Sequence, residues 1–303
     1  MPRVSLIIPT HSRPQLLVRA VESAKLAGRD VELLVVDDAS TDGTAEVCRA
    51  LEGIRYIRLE HNLGVAGARN AGILASSAEY IAFLDDDDLR LPASLDLQLA
   101  ALARQPEAGF VCGSMLLADQ EGRLTGEKSA PVHPGGDLFW ELMELAFPVM
   151  PMSVLFRREC FFRAGLFRNR LAGIDDWDIF VRIAELYPVV VISEAVGIYR
   201  QPTPSSGQGS SQLARHLTRA VSHQRELLRL PRAMAASAER RRQARRAAIN
   251  RVANTLLRNA AEGLPTGSYG FVCANILSAL RLDPLYVARP GVYKKLFRRL
   301  LAT

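Results

Sequence analysis

The chain has 303 residues, 49% of them hydrophobic and 23% charged, and a net charge of +6. Its length exceeds the size at which a single core usually stops growing, so a large domain with an appendage, or two domains, is expected; its composition excludes a wholly disordered chain. No apolar stretch reaches the roughly 18 residues of a membrane-spanning helix, and the longest, Tyr269 to Leu280, contains Asn275.

In chain order, Val4–Ile8, Val31–Val36, Ile54–Leu59, Tyr80–Leu84 and Phe110–Met115 are short, mostly β-branched or aromatic runs that predict buried strands. Between them Leu16, Leu17, Ala20, Val21 and Ala24 recur at helical spacing, and Ala45–Leu51 and Ala66–Ser76 predict further helices. Strands alternating with helices imply an α/β domain with a mainly parallel central sheet flanked by helices, whose ligands sit beyond the carboxyl ends of the strands. After residue 115 the pattern changes to a turn-rich stretch from Asp119 to Gly136, an apolar helix over Leu138–Phe147, a strand over Ser153–Phe156, a helix from about Asp175 and a strand over Val189–Ile192. The segment from Gln201 to Ser211 reads as a loop, and beyond Gln212 the chain is Arg-rich and helical to Glu262, with a Gly/Pro break at 263–267 and two shorter helices after it. The N-terminal run lacks a signal-peptide cleavage site, and Cys48, Cys112, Cys160 and Cys273 form no CxxC pair. Together these point to the cytoplasm, with buried, reduced thiols.

Charge is distributed unevenly: residues 1–212 carry 20 basic against 28 acidic side chains, and residues 213–303 carry 18 against 4. The domains expected on this ground are 1–212, catalytic, and 213–303, a basic helical extension.

Polar clusters follow the strands. Asp85-Asp86-Asp87-Asp88, after the run ending at Leu84, places four mutually repelling carboxylates in one turn. Mg²⁺ or Mn²⁺, which takes carboxylate oxygens and leaves positions for phosphates, fits that pattern better than a solvated turn. Asp37-Asp38 either caps the next helix or accepts hydrogen bonds from a nucleobase edge. The glycines of Asn62–Gly72 permit close approach or tight packing, and Arg69 can pair with an acid or a phosphate. Asp175-Asp176 either caps its helix or supplies a general base.

In this order, Ser5–Thr10, Val35–Thr44, Gly67–Gly72, Phe83–Asp88 and Asp175-Asp176-Trp177 resemble the family 2 glycosyltransferases of the GT-A fold, over roughly residues 3–205. The resemblance implies an inverting, metal-dependent transfer of sugar from a UDP-, GDP- or dTDP-linked donor to a hydroxyl of a saccharide or lipid-linked saccharide. Bacterial surface polysaccharide or glycoconjugate assembly is the implied setting. Pro9, Thr10 and His11 would line the nucleobase pocket, Asp38 would hold the base edge, and Arg69 would support that pocket. Arg13 belongs to the donor site on the same reading. Asp85 and Asp86 would lie at the ribose and diphosphate, Asp87 would bind Mn²⁺ or Mg²⁺, and Asp176 would be the catalytic base. Where many members carry a His soon after the Tyr-Arg that is Tyr199-Arg200 here, this chain has Gln201-Pro202-Thr203-Pro204. The 203–211 segment would act as a lid over the donor.

The basic extension reads either as a solvated or salt-bridged helix face or as a peripheral contact with an anionic membrane. Apolar residues from Leu285 to Leu301 interleave there with Lys294, Lys295, Arg298 and Arg299. No nucleic-acid motif accompanies the charge. Competing readings are a sugar nucleotidyltransferase, whose phosphate loop Pro9–Pro14 does not match, and a non-catalytic scaffold that binds nucleic acid or membrane through the extension.

Overall fold

The computed structural model describes residues 2–129, 133–201, 210–264 and 267–288. The chain divides into two compact units, Met1–Leu138 with Pro148–Gln201, and Phe139–Phe147 with Pro202–Thr303.

The first unit begins with β1 (Val4–Thr10), α1 (Pro14–Lys25), β2 (Val31–Asp37), α2 (Thr44–Ala50), β3 (Ile54–Arg58), α3 (Gly64–Ala75) and β4 (Tyr80–Phe83). Proline suits the first turn of α1, whose missing N–H would have no partner there, and the predicted stripe of Leu17, Ala20, Val21 and Ala24 is buried. β1 pairs in parallel with β2 and with β4, and β2 with β3. All seven residues of β1 are buried, as expected for a central strand covered on both faces. The chain continues through β5 (Leu89–Arg90), α4 (Ser94–Ala103), β6 (Phe110–Ala118) and β7 (Leu124–Ser129). After the excursion into the second unit come β8 (Val154–Arg157), α6 (Glu159–Ala164), α7 (Asp175–Leu186) and β9 (Val189–Arg200). The sheet order is β3-β2-β1-β4-β8-β6-β9-β5, with β7 on β6. β8 lies antiparallel between β4 and β6, while β6 and β9 are parallel.

Three local expectations are corrected. The turn-rich stretch contains β7, whose Leu124–Ser129 is exposed and lacks the apolar alternation that marks a strand. β9 runs to Arg200 rather than stopping at Ile192, because β6 and β5 provide pairing partners along it. Cys273 is exposed, whereas Cys48, Cys112 and Cys160 are buried.

One face of the sheet packs on Val4, Leu6, Ile8, Leu17, Val21, Leu95 and Leu155. The other carries an aromatic cluster in which Phe83 meets Phe156, Phe161 and Phe167 edge-on, at 5.9, 6.2 and 5.4 Å between centroids. α3 crosses β1 closely because Gly72 has no side chain; a Cβ there would lie 2.4 Å from Cγ2 of Ile7.

The second unit contains α5 (Phe139–Met143), α8 (Ser210–Leu227), α9 (Pro231–Ala235), α10 (Ala238–Gly263), α11 (Tyr269–Leu282) and α12 (Pro284–Val287). Its core joins Ala214, Val221, Val252, Leu256, Leu257, Ala279 and Val287. The segment 139–147, inside the 1–212 boundary drawn from charge, groups with this unit. Gln224, buried on α8, donates to Met143 O at 2.8 Å, and Arg240 pairs with Glu144 at 2.6 Å while stacking over Trp140. The expected lid at 203–211 falls outside the described residues up to 209, and so does the tail beyond 288.

Gly72→Ala tests the helix–sheet contact. The stiff, buried Ile7 cannot yield, so overpacking of about 1–3 kcal/mol should outweigh the helix-propensity gain of about 1 kcal/mol. The expected outcome is a lower thermal midpoint; an unchanged or higher one would mean that α3 shifts freely.

Candidate active site

The residues singled out in sequence gather beyond the carboxyl ends of β1, β2 and β4. These strands are adjacent and parallel, so the loops that follow them emerge on one side. Two of those loops are held in uncommon backbone: Ser12 and Ala39 adopt φ of 54° and 58°.

Behind β1, the Thr10 hydroxyl donates to Asp86 Oδ2 at 2.7 Å. His11 Nδ1 lies 2.8 Å from the carbonyl of Asp38, which can only accept, so Nδ1 carries the proton. The two aspartates after β2 differ in role. Asp37 is fully buried, accepting from Ser40 N and Tyr56 Oη at 2.8 Å each, with Arg58 at 3.5 Å. Burial opposes its charge, but the Ser40 and Tyr56 hydrogen bonds and Arg58 hold its carboxyl below the usual range. Asp38 accepts from Leu63 N at 2.7 Å, which ties the β2 loop to the entrance of α3. Asp37 thus supports the loop while Asp38 stands beside His11; residue type alone does not tell the adjacent pair apart, and the family resemblance singles out Asp38.

The acidic turn alternates. Asp86 and Asp88 are buried, while Asp85 and Asp87 are half-exposed. Arg13, at the start of α1, donates from one terminal nitrogen to Asp86 Oδ1 and Asp87 Oδ2, both at 3.0 Å. Burial opposes the guanidinium charge there, but Asp86 and Asp87 raise its pKa above the ordinary value. Even so, burial pushes Asp86 up to about 6 against the pull of Arg13 and Thr10. Burial and the neighbouring Asp85 raise Asp87 as well, and burial holds Asp88 well above the usual range. Asp88 accepts from Arg200 N at 2.8 Å, binding the turn to the end of β9, while its other oxygen is buried without a hydrogen-bond partner. Asp88 is a residue that sequence reasoning passed over, since nothing local separates it from its three neighbours.

Carboxylates kept this far above their usual range by burial and mutual repulsion would be stabilised by more positive charge than Arg13 supplies. The donor set is all hard oxygen, which fits a divalent cation such as Mg²⁺ or Mn²⁺. Among the described residues no three His, Cys, Asp or Glu side chains form a ready-made cage. The protein would therefore contribute one or two carboxylates and leave other positions to phosphate oxygens and water.

Arg69 is nearly fully buried and lies between the acidic turn and α7. It donates to Asp85 Oδ1 at 2.7 Å and its other terminal nitrogen lies 3.6 Å from Asp175 Oδ2. Its guanidinium also lies over Phe83 and Phe167, at 5.8 and 5.6 Å. Arg69, expected to support the nucleobase pocket, joins the two acidic clusters, and Leu63 N meets Asp38. At the start of α7, Asp175 Oδ1 accepts from Gly173 N at 3.1 Å, and Asp176 accepts from Trp177 N at 2.7 Å. Burial and then the Asp175 charge push Asp176 up to about 7. The neighbours differ in setting: Asp175 is buried against Arg69, while Asp176 is partly buried with its pKa raised to about 7, and the N-cap residue of α7 offers no side-chain cap.

Comparison with known proteins follows this geometry. The family described as Glycosyl transferase family 2 matches residues 5–162, just over half of the chain. A Rhizobium meliloti protein named "Succinoglycan biosynthesis protein ExoO" is 31% identical over 216 residues, covering 68% of this chain and 60% of that one. The "GalNAc(5)-diNAcBac-PP-undecaprenol beta-1,3-glucosyltransferase" of Campylobacter jejuni is 34% identical over 137 residues, covering 43% of each chain. The chain thus spans 60% or less of the length of these two relatives. Among solved structures, the mannosyltransferase PcManGT from Pyrobaculum calidifontis, in complex with GDP-Man and Mn²⁺, superposes with a TM-score of 0.59 at 20% identity. That match covers 94% of this chain and 87% of the other, and at this identity it speaks for the fold.

The raised Asp176 also predicts a stability profile. Its proton is bound more tightly in the folded chain than in the unfolded one, whose carboxyl titrates near pH 4. Between about pH 4 and 7 the folded state therefore holds more protons, and this group makes unfolding easier as pH rises. Asp176→Asn should melt like wild type near pH 4 and a few degrees higher at pH 8. A difference that does not change with pH would show that Asp176 titrates normally.

Proposed function

The chain belongs to glycosyl transferase family 2, and from that premise we propose that it transfers a sugar from a nucleoside-diphosphate sugar to a hydroxyl group. The acceptor we infer is a saccharide or lipid-linked saccharide in bacterial polysaccharide or glycoconjugate assembly. The observation that carries this reading is the buried Arg69, which joins the acidic turn after β4 to the acidic start of α7. Leaving-group stabilisation and proton removal then belong to one site.

On this reading Pro9, Thr10 and His11 border the base, with the His11 ring held against the Asp38 carbonyl. Asp38 accepts a ring N–H of the base. Asp85 and Asp86 face the ribose and diphosphate, and Asp87 would hold Mn²⁺ or Mg²⁺. Bound there, the cation supplies positive charge to the diphosphate as the sugar–phosphate bond breaks. Arg13 is a further cation for the same phosphates, since 37% of its side chain is accessible and it already lies on Asp86 and Asp87. The acceptor oxygen attacks the anomeric carbon from the face opposite the diphosphate and passes its proton to Asp176, so configuration inverts. A carboxyl with a pKa near 7 is half ionised at neutral pH and so suits a base that must be both available and strong enough to take the proton. Positioning by Arg69 and Asp175 holds Asp176 toward the acceptor side.

Three outcomes are expected. Asp87→Asn should abolish Mn²⁺-dependent binding of nucleoside diphosphate in calorimetry and leave the melting curve in place. Asp176→Asn should keep donor affinity and lose turnover by about 10²-fold or more. In wild type, kcat should rise with pH through about 7, as Asp176 loses its proton. Unaltered Mn²⁺-dependent binding in the first variant, or unaltered turnover in the second, would remove the role assigned to that residue. Screening UDP-, GDP- and dTDP-sugars with Mn²⁺ for diphosphate release tests the reaction itself.

A further inference from the structure

α11 is apolar on two sides. Val272, Asn275 and Ala279 face the interior of the second unit. On an adjoining side Tyr269, Cys273, Ile276, Leu277 and Leu280 are exposed, at i, i+4, i+7, i+8 and i+11, which is one continuous stripe of a helix. Tyr269 is 69% and Leu277 52% exposed, and Leu285 in α12, at 78%, is the most exposed large apolar residue described. A helix that is apolar all round is normally buried all round, and a bare apolar stripe of this length marks a surface that something covers.

Charge close to the stripe is sparse and mixed, with Asp283 capping α12 just after α11 and Glu262 exposed at the end of α10. The only charged residue within Tyr269–Leu282 is Arg281, in the last turn, and it is exposed. The fifteen residues that follow Ala288 in the sequence carry Arg289, Lys294, Lys295, Arg298 and Arg299 and no acid. From 213 onward the chain has 18 basic and 4 acidic residues. A second copy would bring one strongly cationic chain region against another, because a two-fold interface pairs a patch with itself. An anionic bilayer offers the complement: a negative headgroup layer for the cations and, just beneath it, acyl chain for the apolar stripe. α11, with 14 residues, is about 21 Å long, less than the hydrocarbon thickness of about 30 Å. No helix of the described residues is long and apolar enough to cross a membrane. The fitting geometry is a helix lying along the interface.

We propose that the exposed face of α11, with Leu285, docks the second unit on an anionic membrane surface, inserting Tyr269, Ile276, Leu277 and Leu280 at the headgroup boundary. The inference concerns attachment and does not depend on the transfer reaction. It tests on the full chain with sedimented vesicles of phosphatidylcholine alone or mixed with phosphatidylglycerol. Wild type should sediment with the mixed vesicles, much less with phosphatidylcholine alone, and less in high salt. Leu277→Glu with Leu280→Glu should lower partitioning at least tenfold with an unchanged melting curve and unchanged diphosphate release from donor. If that pair disturbs folding, Tyr269→Trp replaces it as the probe, and its emission should shift to the blue on mixed vesicles. Wild type remaining in the supernatant, equal sedimentation of the Glu variant, or a Trp emission unmoved by vesicles would overturn the proposal. So would light scattering that shows a wild-type dimer dissociated by the Glu pair, which assigns the face to a second copy. Loss of donor release in wild type would count against the proposed transfer reaction and leave the docking result standing.

Discussion

One buried guanidinium organises the chemistry of the first unit. Arg69 is held by Asp85 on one side, reaches Asp175 on the other, and rests on the rings of Phe83 and Phe167. Removing a partner from such a buried pair typically costs about 3–5 kcal/mol, because the remaining charge has no water to turn to. The two acidic elements that flank it are therefore bound to a common position. The aromatic cluster beneath that cation is also the core of one sheet face, so site geometry and core packing share the same residues.

Crowded carboxylates are tolerated because the turn separates them by environment. Asp86 and Asp88 turn inward and are tied to Thr10 and to the end of β9, while Asp85 and Asp87 remain partly open to solvent. Buried Arg90 anchors the next residues through Gln98 at 2.9 Å, and burial lowers its own pKa to about 9. The turn is tied at both ends by hydrogen bonds and carries unneutralised carboxylates in the middle, which suits a site for an anionic substrate and its counter-ion.

The second unit rests on different physics. Its helices carry a cationic surface around a core of small and aliphatic residues, with buried Gln224 and the Arg240–Glu144 pair fastening α5 to the later helices. α11 shows a mostly apolar outer face, with Tyr269, Ile276, Leu277 and Leu280 exposed.

Much of both units was legible before folding. Strand runs, the helical stripe of α1, the acidic turn and the Asp175-Asp176 helix start are local patterns, and local patterns report on hydrophobic periodicity and helix capping. Membership of α5 in the second unit, the antiparallel insertion of β8, the strand Leu124–Ser129 and the length of β9 had no such signal, since each depends on a partner far away in sequence. The same divide runs through the site. Sequence named the carboxylates and ranked them only through a family resemblance; the folded chain brings Arg13 to Asp86 and Asp87, Arg69 to Asp85 and Asp175, and Arg200 to Asp88. Ionisation follows burial and neighbouring charge, and both are set by tertiary packing rather than by residue type.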